Sequence, residues 1–195
     1  PPALPLSPLP RRTPRMLLRP RQKRRWPAAR TWRTARGAAA ARAKPPKVRA
    51  RSTQGTAASG QALLRRFFAT KVKSDTSHLE VSDGSGLSTL DRVTPREMVQ
   101  MLSYAHKASW GPWFHASLPV AGESELLKRR MKGGAAQGNL HAKTGTTNDV
   151  IGLGGYVTAL NGEVIAFSFI YNGNDRWTAK SMIDVMGTTL ANFAR

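Results

Sequence analysis

Two β-rich runs, Ile151 to Leu160 and Glu163 to Tyr171, flank Asn161-Gly162 and constrain the fold of this chain more than any other feature. Runs of Val, Ile, Phe and Tyr suit a pleated strand, and Asn-Gly between two of them is the strongest short-range hairpin signal, read here as a type I′ turn. In the second run both alternate sets, Val164/Ala166/Ile170 and Ile165/Phe167/Phe169, are largely apolar. Successive strand side chains face opposite ways, so the pattern predicts a central strand covered on both faces. Asn172 to Asp175 then turns the chain into a helix whose stripe of Ala179, Ile183, Met186, Leu190 and Phe193 can pack on the sheet.

Immediately before the hairpin stands His141-Ala142-Lys143-Thr144-Gly145-Thr146-Thr147. In a strand, Lys143 and Gly145 share one face and Thr144 takes the other. Gly145, lacking Cβ, lets another molecule approach the strand edge. Such an edge suits an anionic group held by the lysine and the Thr hydroxyls, with the backbone pairing an extended peptide as an added strand. Lys-Thr-Gly belongs, with S-x-x-K and S-D-N, to the motif set of penicillin-binding proteins and β-lactamases. Alone it is weak, since a strand end or turn uses the same three residues.

Upstream, Leu63, Leu64, Phe67, Phe68 and Val72 recur at helical spacing from Ala62, which predicts a surface helix with one buried stripe. Leu79-Glu80-Val81 reads as a short strand entering the Gly/Ser turn Asp83 to Ser88. Ser85 and Ser88 have no general base beside them and read as turn residues rather than nucleophiles. Thr94-Pro95-Arg96-Glu97 is a capping box with Pro at the first helical position, and Met98, Met101, Leu102 and Ala105 continue that helix on one face. His106 near its end reads as solvated, with no second His or carboxylate at metal spacing. A Gly/Pro/Trp loop and a short basic helix through Leu126, Leu127 and Met131 complete the path to the Lys143 strand.

Charge divides the chain. Residues 1 to 51 hold 16 Lys and Arg, no Asp or Glu, and ten of the 13 prolines, so most of the formal +20 sits there. With no apolar period to follow, 1–54 reads as a disordered Arg/Pro-rich leader and 55–195 as the folded unit. The leader is open to three readings: an unstructured segment, a nucleic-acid or anionic-surface tail with Trp26 and Trp32 able to stack, or a shifted frame outside the native coding sequence. There is no cysteine, hence no disulfide or thiolate chemistry. Met16-Leu17-Leu18 is interrupted by Arg19 and Pro20 before reaching signal-peptide length, and no run is long enough to span a membrane.

From about Gly60 to Arg195 the chain resembles the C-terminal part of the D-alanyl-D-alanine carboxypeptidase/endopeptidase family, the class C low-molecular-mass penicillin-binding proteins of peptidase family S13. The residues that carry the resemblance run in the family's order: Asp83-Gly84-Ser85-Gly86-Leu87-Ser88, Arg92-Val93-Thr94-Pro95, Ser117-Leu118-Pro119-Val120-Ala121-Gly122, Ala142-Lys143-Thr144-Gly145-Thr146, Gly154-Gly155-Tyr156-Val157 and Ala166-Phe167-Ser168-Phe169. The resemblance implies an α/β transpeptidase-type domain, a mainly antiparallel sheet between helical layers with Lys-Thr-Gly edging the cleft. It also implies a serine D-Ala-D-Ala carboxypeptidase of the periplasm or cell envelope, acting on peptidoglycan stem peptides, binding β-lactams and needing no cofactor or metal. In such an enzyme the serine of S-x-x-K attacks the carbonyl before the terminal D-alanine, and an oxyanion hole stabilises the tetrahedral intermediate. The role of holding the substrate's terminal carboxylate carries onto Lys143, Thr144, Gly145 and Thr146.

The chain also departs from that pattern. No serine is followed three positions later by lysine or two positions later by asparagine; Ser74-Asp75-Thr76 lacks the amide. No catalytic nucleophile is therefore identified, and the chain reads as an inactive fragment of a carboxypeptidase, prone to self-association through uncovered strands. The alternative is a non-catalytic binding protein that captures an acyl-D-Ala-D-Ala terminus or binds nucleic acid through the basic tail; of these, nucleic acid is the less favoured partner.

Overall fold

The computed structural model describes residues 55–194. The leader expected over 1–54 lies outside them. The first helix, α1 (Ala57–Phe67), starts earlier than its apolar residues suggest, because Thr56 and Ser59 form a reciprocal capping box. It continues as a π-helical turn, Phe68–Val72, and stops where Lys73 takes a left-handed conformation. The expected buried stripe is absent from α1: none of its residues is buried, Leu63 and Leu64 are exposed, Phe67 is half-buried, and full burial comes with Phe68 in the following turn. Phe67 meets Tyr104 edge to face at 5.4 Å and ties this segment to the helix that carries Tyr104.

Glu80 pairs with Arg92 in a single bridge, so the strand expected over Leu79 to Val81 shrinks to one residue. Between them Ser85 and Ser88 act as turn residues. The Ser85 amide donates to Asp83, the Leu87 amide donates to Ser85 Oγ and the Leu90 amide to Ser88 Oγ. Helix α2 (Pro95–Lys107) begins on its capping box, with the Glu97 amide donating to Thr94 Oγ1 and the Thr94 amide to Glu97 Oε2. The Gly/Pro/Trp stretch is not a loop. It forms α3 (Gly111–Ser117), because Pro112 falls in the first turn, where its fixed φ suits a helix and its missing N–H costs nothing. The basic helix through Leu126 and Met131 is reduced to a 3₁₀ turn, Glu125–Leu127. Met131 sits at φ 53°, and Arg130 is drawn into an ion pair with Asp184.

Strands β1 (His141–Thr146), β2 (Val150–Thr158) and β3 (Val164–Asn172) form an antiparallel sheet in that order, so among the described residues β2 is central and β3 lies at an edge. The sequence pattern of β3 signalled cover on both faces, and both faces are partly covered, with Phe167 alone fully buried. Ile165, Phe167, Phe169 and Tyr171 pack toward helix α4 (Arg176–Ala191), whereas Val164 and Ala166 meet Leu102, Phe114 and Leu118 of the opposite layer. Faces and neighbours are separate matters, and the pattern encoded only the first.

The hairpin turn is not type I′. Asn161 keeps a negative φ and only Gly162 is left-handed, at 87°. The Gly162 amide donates to Ala159 O and the Ala159 amide to Glu163 O, the bonding of a type I turn closed by a glycine bulge. Helix α4 buries Ala179, Ile183, Gly187 and Ala191, one residue per turn. Met186 and Phe193 of the expected stripe remain partly exposed. Gly187 explains the shift: a Cβ there would press on Leu140 Cδ1 and Met131 Sδ, at 3.0 and 3.2 Å.

Candidate functional site

The pairing on either side of β1 determines what its edge offers. On one side it pairs throughout with β2, Lys143 opposite Gly154 and Gly145 opposite Gly152. On the other, the Ala142 amide donates to Pro119 O and the Ala121 amide to Leu140 O, so the segment after α3 covers only the start of the strand. Antiparallel ladders alternate, and the outward bond of Ala142 places the backbone groups of Thr144 and Thr146 outward too. The uncovered edge thus begins at Lys143. Lys143, Gly145 and Thr146 are exposed and Thr144 is half-buried. The Lys143 ammonium donates to Thr144 O at 2.8 Å.

Glycines keep this region open. A Cβ at Gly145 would find no atom within 4 Å, so nothing inside the fold requires a glycine there. On the same face as Lys143, Gly154 and Gly152 of β2 leave a floor without side chains, bordered by Ser168 and Ile170 of β3. Gly155 on the opposite face has the contrary role, since a Cβ there would collide with His141 O and Ala142. It lets β1 and β2 close up.

At the head of β1 lies a cluster that the sequence reading missed. The His115 ring of α3 packs on the His141 ring with centroids 4.3 Å apart, and on Tyr156 at 5.1 Å; His106 approaches Tyr156 at 5.8 Å. Tyr156 is buried and its hydroxyl donates to Leu102 O at 2.7 Å. Burial pushes the Tyr156 phenol up to about 12. Burial first, then the neighbouring His141 and His106, push His115 down to about 4. His141 is also lowered by burial, against a hydrogen bond to the His115 backbone and the attraction of Glu123. His106 is exposed, as the sequence suggested, yet belongs to this cluster. The two inner histidines lie far apart in sequence, and only the docking of α3 on the strand joins them. Among the described residues no group of three or more His, Cys, Asp or Glu could hold a metal ion.

A family model described as the D-Ala-D-Ala carboxypeptidase 3 (S13) family matches residues 46–193. The chain belongs to this family. This S13 chain is 42% identical over 125 residues to a D-alanyl-D-alanine carboxypeptidase from Actinomadura sp., covering 62% of this chain and 23% of that protein. It is 34% identical over 97 residues to the D-alanyl-D-alanine carboxypeptidase DacB of Haemophilus influenzae, covering 48% and 20%. The chain therefore spans about a quarter of the length of the curated relatives it matches. Among solved structures, a predatory endopeptidase of Bdellovibrio bacteriovorus in complex with an immunity protein superposes with TM-score 0.59 at 26% identity, covering 68% of this chain and 37% of that one. Penicillin-binding protein 4 of H. influenzae, in complex with a β-lactam, shares the fold with TM-score 0.59 at 24% identity, covering 70% and 33%.

Within this S13 chain, Lys143, Thr144, Gly145 and Thr146 fall together on one strand at the point where its edge opens. The sheet flanked by helices is the architecture that the resemblance implied. Ser85 and Ser88 stay in their turn.

Proposed function

We propose that the β1 edge is the carboxylate-binding wall of a serine-type D-Ala-D-Ala carboxypeptidase, whose substrates are peptidoglycan stem peptides and which β-lactams mimic. The observation that carries this reading is the edge that opens at Lys143, with a glycine two residues on that no internal contact requires. An extended peptide laid along it would pair with the Thr144 and Thr146 backbone, as an added strand does. Its terminal carboxylate would draw the Lys143 ammonium away from Thr144 O and take hydrogen bonds from the Thr144 and Thr146 hydroxyls. The glycine floor of β2 leaves room for the peptide's own side chains. Such a substrate places the protein in the periplasm or cell envelope; among the described residues, no helix is long and apolar enough to cross a membrane.

Acyl transfer needs a nucleophile beside this wall. The 195 residues contain no serine placed three before a lysine or two before an asparagine, so we propose that this polypeptide by itself binds without forming an acyl-enzyme. Fluorescent penicillin tests both halves of the reading. No covalent adduct is expected on this polypeptide, whereas a protein joining residues 55–195 to the preceding part of an S13 enzyme should label. A stable adduct on this chain alone would show that its nucleophile has been overlooked.

A further inference from the structure

We propose that the His115–His141 pair is a positioning element for the Lys143 strand: uncharged, the packed imidazoles hold α3 and residues 118–121 against the head of β1, and protonating the pair releases that segment. The proposal rests on the reading of β1 as the substrate wall, because what the pair sets is where the uncovered edge begins.

Geometry carries the argument. The segment bonded to β1 through Pro119 and Ala121 leaves directly from the end of α3, and the contact between the two rings fixes α3 over His141. His141 makes its hydrogen bond to the His115 backbone, and its Nδ1 is buried with no hydrogen-bond partner among the described residues. With Nδ1 unpartnered, the bond is assigned to Nε2–H, and a second proton at Nδ1 would meet no acceptor among the described residues. His115 is 5% exposed and packs on that ring with the two planes tilted by 33°. Charging either imidazole costs desolvation, and charging both adds repulsion at 4.3 Å.

The surrounding groups do little to offset this. Tyr156 of β2 stays neutral, and His106 of α2 adds to the repulsion. The hydrogen bond to the His115 backbone and the attraction of Glu123, in the loop before β1, favour the charged form of His141, and burial outweighs both. The unfolded or released state therefore binds protons more readily than the docked one. The docked state is favoured at neutral pH and loses its advantage as pH falls from about 6.5 toward 4. For His115 alone, the opening equilibrium should rise about 30-fold between pH 7.5 and pH 5.

The Ala142 amide is a direct reporter, since it is bonded to Pro119 O. Its hydrogen-exchange protection in the full chain, corrected for intrinsic rates, should fall about 30-fold from pH 7.5 to pH 5, while amides inside the β2–β3 ladder fall less. In His115→Phe, which keeps an aromatic ring and cannot titrate, that dependence should flatten; a merely structural role would lower protection equally at both pH values. Ring NMR titration of the unsubstituted chain needs no variant to fold, and His115 should titrate far below the usual histidine range. Titration near 6.5, or Ala142 protection indifferent to pH, overturns the proposal. The exchange is read without ligand, so a failure of the carboxylate-binding reading would show separately, in ligand binding.

Discussion

Lys143 donates its ammonium to the carbonyl of the very next residue, Thr144, at 2.8 Å. That carbonyl is one of the outward groups of the open edge. The lysine thus caps the edge with its own charge, and a peptide carboxylate offers it a better partner, since opposite charge adds Coulomb attraction to the hydrogen bond. In an S13 protein with its nucleophile present, Lys143→Ala should lower kcat/KM by the equivalent of about 2–5 kcal/mol, the cost of leaving a desolvated carboxylate unpaired. A surface lysine without this role would change it by a few tenths at most. Steady-state kinetics on a D-Ala-D-Ala peptide decides, and an unchanged kcat/KM would remove the residue from the site.

Two glycines of the same strand pair should separate stability from binding. Gly155→Ala drives a Cβ into His141 O and Ala142, and should cost about 1–3 kcal/mol or more, because backbone cannot step aside. Gly145→Ala meets nothing within 4 Å and should leave stability within about 1 kcal/mol, while weakening a ligand laid along the edge. Urea unfolding and ligand titration on both variants check the pair. A Gly145→Ala protein that binds as well as the parent would mean the ligand approaches elsewhere.

Arg130 reaches Asp184 of α4 from the loop before β1, Nε to Oδ1 at 2.8 Å and Nη2 to the same oxygen at 2.6 Å. The arginine side chain is 8% exposed and the aspartate 23%, so the charge left behind by Asp184→Ala would be largely out of water. The expected loss is about 3 kcal/mol, the lower end for a buried pair since Asp184 keeps some solvent. Replacing both partners by apolar residues should recover much of it. Denaturant unfolding of the single and double variants measures the coupling, and additive losses would show the pair to be incidental.

Much of this fold was legible where the deciding interactions are local. The Thr94 to Glu97 capping box closes within one turn, and the β2 and β3 runs carry their propensity in their own side chains. The motif order from Asp83 to Phe169 supplied the family, and with it the Lys143 strand. What escaped depends on long-range closeness or on missing side chains. Gly187 carries the contact of α4 with Leu140, yet contributes nothing to an apolar stripe. The choice of turn at Asn161-Gly162 followed the φ of Asn161, which the dipeptide alone leaves open. His115 and His141 meet only through the docking of α3, so no spacing rule could pair them.

The outer edge of β3 sets the last expectation. The Ala159 and Gly173 amides donate to Glu163 O and Asp149 O across the β2–β3 ladder, so the odd-numbered residues of β3 bond inward and Val164, Ala166, Ser168 and Ile170 direct their backbone groups outward. No other strand pairs with that edge among the described residues. From Val164 to Tyr171 it has no charge, proline or bulge to discourage pairing. Beside it runs a groove of about 540 Å³ lined by Phe169, Tyr171, Met182 and Met186, and Met182 is 57% exposed. Residues 55–195 on their own should therefore self-associate, through edge pairing and burial of this apolar surface at about 25 cal/mol per Å². Ser168→Pro offers a clean test. Proline removes an outward N–H while every β2–β3 ladder bond survives, a placement that an edge strand tolerates. Size-exclusion chromatography with light scattering should show the parent chain shifting to larger species with concentration and Ser168→Pro shifting less. A parent that stays monomeric, melts sharply and takes up no hydrophobic dye would show that this edge needs no cover.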